Sequence, residues 1–187
     1  MKRPNRRHTS LDVTTLFDAY GARAYGESVT QLAHALQCAA LAREHGADDE
    51  VVLAALLHDV GQFTASAADR KTLHHGHHGA NLLRPFVPER VAWLVEYHVV
   101  AKRYLCTVDR RYAARLSAVS ARTLVLQGSM LPIEERLALE SQPWFVDAVQ
   151  IRRWDDDAKV PGAVVPGLDE YRPLLERWLG PQSRGGP

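Results

Sequence analysis

Cysteine is scarce in this chain, and the little there is forms no pattern. Cys38 and Cys106 lie far apart and neither belongs to a Cys-x-x-Cys pair, which excludes a disulfide framework and a structural zinc ribbon and fits a reducing compartment. An excess of charge of one sign is missing too, since 23 Lys and Arg stand against 22 Asp and Glu. That balance supplies no field for gripping a nucleic-acid backbone or an anionic membrane, so neither is expected as a partner. No apolar run approaches the roughly 20 residues of a membrane span. The segment from Met1 to Ser10 is basic and polar, without the apolar stretch of a signal peptide, and a cytoplasmic location is expected. There is also no alternating strand pattern and no internal repeat, which argues against a β-rich or solenoid fold.

What is present is ordinary globular material: 187 residues, 46% hydrophobic and 24% charged, enough for one domain with a real core. We expect that domain over residues 11–179, between a disordered basic tail (1–10) and a disordered Gly/Pro/Ser-rich tail (180–187). Apolar residues recur at three- and four-residue spacing, so the fold class is all-α. The pattern predicts helices from Leu11 to Tyr20, from a capping box at Ser28 and Gln31 through to Gly46, and from Asp48 through the apolar run Val51 to Leu57. Further helices are expected over His75–Leu83, Val87–Tyr97, Tyr112–Gln127, Ile133–Leu139, Trp144–Asp157 and Leu168–Leu179, with Pro85, Pro132, Pro143 and Pro161 at boundaries.

Histidine is abundant, nine in all, and unevenly placed. An isolated histidine on a helix is ordinarily a core or surface residue, and His8 and His45 are taken so. His58-Asp59 is different, because an adjacent polar pair at the end of the most apolar helix would cost several kcal/mol unless bonded or coordinated. With His34, one histidine of the cluster His74, His75, His77 and His78, then His98 and Asp155, it makes a set of nitrogen and oxygen ligands. Such a set suits iron, manganese or a similar metal better than a thiolate-preferring one. Asp59 can use one oxygen for each of two ions and is the natural bridge.

The order His34, His58-Asp59, Asp155 resembles the H…HD…D signature of the HD-domain superfamily, an all-helical fold around one or two metals. The text around these residues is more specific: Gly26 to Gln37, His98 to Leu105, Ser117 to Leu124 and Arg152 to Lys159. Over about residues 25–162 it looks like the mixed-valent diiron oxygenase branch, whose best-known members cleave 1-hydroxyphosphonates. The resemblance implies an HD-domain helical bundle around a dinuclear site of two Fe ions, Fe(II)/Fe(III), with O2 as co-substrate. Their ligands would be His34, His58, Asp59, His75, His98 and Asp155. His75 is selected because it stands four residues before Gly79-Ala80, and Asp155 because it stands four before Lys159, which would brace its carboxylate.

The same resemblance assigns Lys102 and Arg152 to the phosphonate, with Ser120 and Thr123 as hydrogen-bond donors and Glu27, Tyr25 and Gln62 on the substrate side. The expected partner is a small anionic phosphonate; a homodimer is left open. Two positions depart from the branch's pattern: Gln62 replaces a histidine, and Tyr25 stands one residue late, with Ala24 where the tyrosine is usual. The rival expectation is an HD phosphohydrolase acting on a phosphomonoester or nucleotide, where a metal activates water. A noncatalytic sensor that keeps the pocket is the third.

Overall fold

The apolar run Val51 to Leu57 dictates the centre of the molecule, because a helix apolar on every face has to be covered on every face. The computed structural model describes residues 11–25, 29–64 and 74–180, and among them the chain forms eleven α-helices and no strand. Glu27, the Ser28 cap and both expected tails, except Gly180, fall outside the described residues. The helices are α1 (Val13–Tyr20), α2 (Gln31–Glu44), α3 (Asp49–Leu57), α4 (Gly61–Thr64), α5 (His74–Leu83), α6 (Glu89–Val108), α7 (Arg110–Arg115), α8 (Ala118–Leu126), α9 (Ile133–Glu140), α10 (Phe145–Asp157) and α11 (Arg172–Leu179).

Helix α3 starts on Asp48, whose carboxylate accepts from the N–H groups of Glu50 and Val51, and all seven residues from Val51 to Leu57 are buried. Each such Val or Leu contributes roughly 1.5–3 kcal/mol of burial, so this helix anchors the domain. Helices α2, α6, α10 and α11 pack around it, while α5 pairs with α6 and with α4. The site residues sit on that inner ring: His34 on α2, His98 and Lys102 on α6, Arg152 and Asp155 on α10, and His58-Asp59 where α3 runs out. No helix among the described residues is long and apolar enough to cross a membrane.

Four boundaries differ from the sequence expectation. Helix α2 begins at Gln31, capped by Thr30, whose hydroxyl accepts from the Ala33 N–H. Helix α6 continues past Tyr97 to Val108, since no glycine, proline or cap interrupts it before Asp109. The single helix expected over Tyr112–Gln127 is two, because Asp109 caps α7 and Ser117 caps α8; two competing cap side chains outweigh a continuous apolar spacing. Pro173 confines the start of α11 to Arg172, and a 3₁₀ turn over Leu168–Tyr171 precedes it.

One glycine is required by close approach. A Cβ on Gly61 would overlap the carbonyl oxygen of His75 and the amide of Gly79. The backbones of α4 and α5 therefore touch, which holds His75 against the end of α3.

Candidate active site

The local sequence explains why the imidazoles point where they do. His58 and His98 each turn Nδ1 onto the carbonyl three residues earlier in the chain, Ala55 at 2.8 Å and Val95 at 2.7 Å. His34 turns Nδ1 onto the Ala158 carbonyl at the end of α10, also at 2.8 Å. A carbonyl can only accept, so these contacts assign a proton to Nδ1 in all three rings, and in a neutral imidazole that leaves Nε2 as a bare acceptor.

Those acceptors meet in the interior. His34 Nε2 lies 3.1 Å from His58 Nε2, lone pair against lone pair, and His75 Nε2 lies 3.2 Å from His98 Nε2. Asp59 stands between the two pairs. Its Oδ2 is 3.5 Å from His58 Nε2 and 3.9 Å from His34 Nε2, and its Oδ1 is 3.4 Å from His75 Nε2 and 3.6 Å from His98 Nε2. Oδ2 is buried and has no hydrogen-bond partner.

Nitrogens bound to one ion at 2.0–2.1 Å come to rest roughly 3.0–3.4 Å apart. The two histidine pairs have that spacing, and each takes one oxygen of the same carboxylate, so two groups suited to a metal ion share Asp59: His34, His58 and Asp59, and Asp59, His75 and His98. The donor set and the orphaned oxygen fit a pair of cations. Asp155 joins on the first side, with Oδ1 3.4 Å from His34 Nε2.

The electrostatics agree. Burial pushes the His58 pKa down to about 4 and lowers that of His98, so both rings are neutral and free to ligate at pH 7. Burial alone would raise the Asp155 carboxyl. Arg152 and Lys159 beside Asp155 nonetheless hold its carboxyl well below the ordinary carboxylate range.

Above this cluster opens a cavity of about 580 Å³ whose wall carries Lys102, Ser120, Thr123, Arg152 and Lys159. Lys102 and Arg152 are almost fully buried, a state that cations rarely take without an anionic partner. Lys102 Nζ donates to Thr123 Oγ1 at 2.9 Å, and burial together with Arg152 pushes its pKa down to about 7. Arg152 Nη1 donates to Asp155 Oδ2 at 2.5 Å. Lys159 Nζ lies 3.6 Å from Asp155 Oδ1, the bracing position the sequence suggested.

The described residues that the sequence assigns to the site line this cavity or its floor. Tyr25 is not displaced from the site: its ring stacks on His34 with centroids 3.9 Å apart, and its hydroxyl donates to Asp155 Oδ1 at 3.4 Å. Gln62 lines the cavity and accepts from Gln31 Nε2 at 3.4 Å. Gln31 was missed, although it stands three residues before His34 and so on the same face of α2. Tyr112 and Asp156, which hold Arg152 from behind, were also missed.

Comparison with known proteins bears on the same residues. Residues 32–138 match the family described as HD domain. The chain is 42% identical over 184 residues, 95% of its length and 90% of the relative's, to a hydroxymethylphosphonate dioxygenase of Gimesia maris. It is 36% identical over 181 residues, 94% of its length and 92% of the relative's, to a glycine-betaine-forming dioxygenase of 1-hydroxy-2-(trimethylamino)ethylphosphonate from Leisingera caerulea.

Proposed function

The chain belongs to the HD-domain family, and from that premise we propose that it is an O2-dependent dioxygenase that cleaves the C–P bond of a 1-hydroxyphosphonate. The reaction consumes one O2 and yields a carboxylate, phosphate and a proton; C1 is oxidised and no external reductant is needed. The observation that carries this reading is the pair of histidine contacts flanking the two oxygens of Asp59 beneath a wall of buried cations. The names of the two relatives, both phosphonate dioxygenases, support it.

His34, His58 and Asp155 would hold one iron, His75 and His98 the other, and Asp59 would bridge them. The Fe(II)/Fe(III) pair, when bound, supplies the activation of O2 and the one-electron chemistry at C1. The rest is done by the chain. Lys102 and Arg152 bind the phosphonate oxygens, a job for which guanidinium and ammonium groups are suited. Thr123 fixes the Lys102 ammonium at the wall, and Ser120 lines the same wall from α8. Lys159 keeps the Asp155 carboxylate ionised and oriented, and Tyr25 caps the cluster by stacking on His34. Gln62, at the position where a histidine is usual in this branch, offers the substituent on C1 an amide that cannot take up a proton.

The test is anaerobic iron reconstitution followed by electron paramagnetic resonance and phosphate release from a panel led by hydroxymethylphosphonate and its trimethylammonio-substituted relative, with and without O2. A mixed-valent signal perturbed by one panel member, with phosphate release only under O2, is the expected result. Phosphate release from phosphomonoesters without O2, and no coupled iron signal, would place the protein among the HD phosphohydrolases instead.

A further inference from the structure

Arg152 is surrounded by more carboxylate than a single guanidinium needs, and the way its donors are divided is informative. Its Nε–H is shared between the Tyr112 hydroxyl at 2.9 Å and Asp156 Oδ2 at 3.1 Å, and Nη2 pairs with Asp156 Oδ1. The Tyr112 hydroxyl in turn donates to Asp156 Oδ2 at 2.6 Å. Asp156 therefore takes the Nε edge of the guanidinium as a side-on fork. Only Nη1 reaches Asp155. Of the five N–H groups of an arginine, these contacts occupy three, and two on the Nη nitrogens remain for the cavity that Arg152 lines.

Without Asp156 the nearest anion to the guanidinium would be Asp155, and a planar fork pairs with a carboxylate through two parallel bonds when it can. Arg152 would then close on Asp155, withdrawing N–H groups from the cavity.

We propose that Asp156 and Tyr112 are positioning residues that hold Arg152 in its anion-receiving orientation and keep it from collapsing onto Asp155. Neither touches the cavity over the histidine cluster. Both instead line a second cavity of about 550 Å³ on the far side of that wall. Asp156 is half-buried rather than part of the apolar core, so its contacts serve Arg152 and Lys159 rather than packing. Tyr112 reaches Asp156 because α7 ends at Arg115 and the chain turns before α8. The break that sends Ser120 into one cavity leaves Tyr112 facing α10.

This inference rests on the proposed anion-binding role of Arg152 but not on turnover. Its test is calorimetric titration of the iron-loaded protein with inorganic phosphate, run on the wild type and on Asp156→Asn, Asp156→Glu and Tyr112→Phe. Asp156→Asn removes a negative charge near the anion, so charge alone predicts tighter binding. The positioning role predicts the opposite: phosphate binding weaker by about tenfold for Asp156→Asn, by a few-fold for Tyr112→Phe, which leaves the charge untouched, and partly restored in Asp156→Glu. Iron content should stay unchanged in all three. Binding as tight as wild type or tighter in both Asp156→Asn and Tyr112→Phe would overturn the inference, as would a loss of iron that accounts for the weaker binding. If Asp156→Asn does not fold, Tyr112→Phe decides alone. Should the wild type bind phosphate yet turn over no hydroxyphosphonate under O2, the proposed reaction fails while the positioning role still stands or falls on the titrations.

Discussion

The floor and the wall of the principal cavity are built on different plans. On the floor, three imidazoles are aimed by main-chain carbonyls and the side chains of His34, His58 and His98 are essentially sealed from solvent. On the wall, Lys102 is held by a threonine and Arg152 by a tyrosine and two aspartates, bonds between side chains drawn from the short helices α7 and α8 and the end of α10. A main-chain carbonyl moves only if a helix moves, whereas a side-chain partner is lost with one substitution. Under the proposed function the floor therefore fixes the chemistry, and the wall is where anion affinity and specificity can be adjusted.

The largest expected effect comes from striking the floor where its two halves meet. Asp59→Ala removes the shared carboxylate, and activity should fall by well over the roughly 10–100-fold typical of losing an outer partner of a ligand. Elemental analysis should show both ions depleted; one ion retained in full would mean that Asp59 does not bridge. Gly61→Ala attacks the floor through the backbone, since the added methyl group meets the His75 carbonyl. Overpacking of this kind costs about 3 kcal/mol, and chemical denaturation should report that loss together with weaker metal retention.

On the wall the expected effects are smaller and fall on binding. Arg152→Lys keeps the charge but loses the fork, and the loss of charged hydrogen bonds worth about 1.5–3 kcal/mol should raise KM by roughly ten- to a hundredfold, with iron content near normal. An unchanged KM would remove Arg152 from the substrate side. The gentlest probe is pH. The Lys102 pKa is pushed down to about 7 by burial and by Arg152, so the side chain is an ammonium below that pH and an amine above it. Affinity for the phosphonate should therefore be fully present below pH 7 and decline as pH rises. In the complex the bound anion raises the Lys102 pKa, so the decline in the complex is displaced upward. Lys102→Arg should flatten that part of the KM profile; a profile identical to wild type would mean another group titrates.

The same contrast explains what could be read from the sequence. His58-Asp59 stood out because two polar residues ending seven buried apolar ones demand partners, whereas the choice of His75 within its cluster and of Asp155 over its neighbours came from the family resemblance. The grip on Arg152 was not legible: Tyr112 lies 40 positions from it, on a helix whose end depends on the Asp109 and Ser117 caps. Tyr25 shows a related limit. Counting along the chain puts it one residue out of place, but Ala24 and Thr30 are joined by an isolated bridge rather than by a helix, and outside a helix a one-residue offset does not decide where a long side chain reaches.

His58 and His98 each take the aim of their ring from a carbonyl three residues earlier, Ala55 and Val95. Each ring thus carries its own sighting mark within a single turn of backbone. Provided that turn stays helical, the ring angle survives whatever is done to distant side chains, so the cavity can be recut for a different substituent on the phosphonate without re-aligning the histidines beneath it. Modularity of this sort is usually ascribed to separate domains; here it operates within about 5 Å of helix.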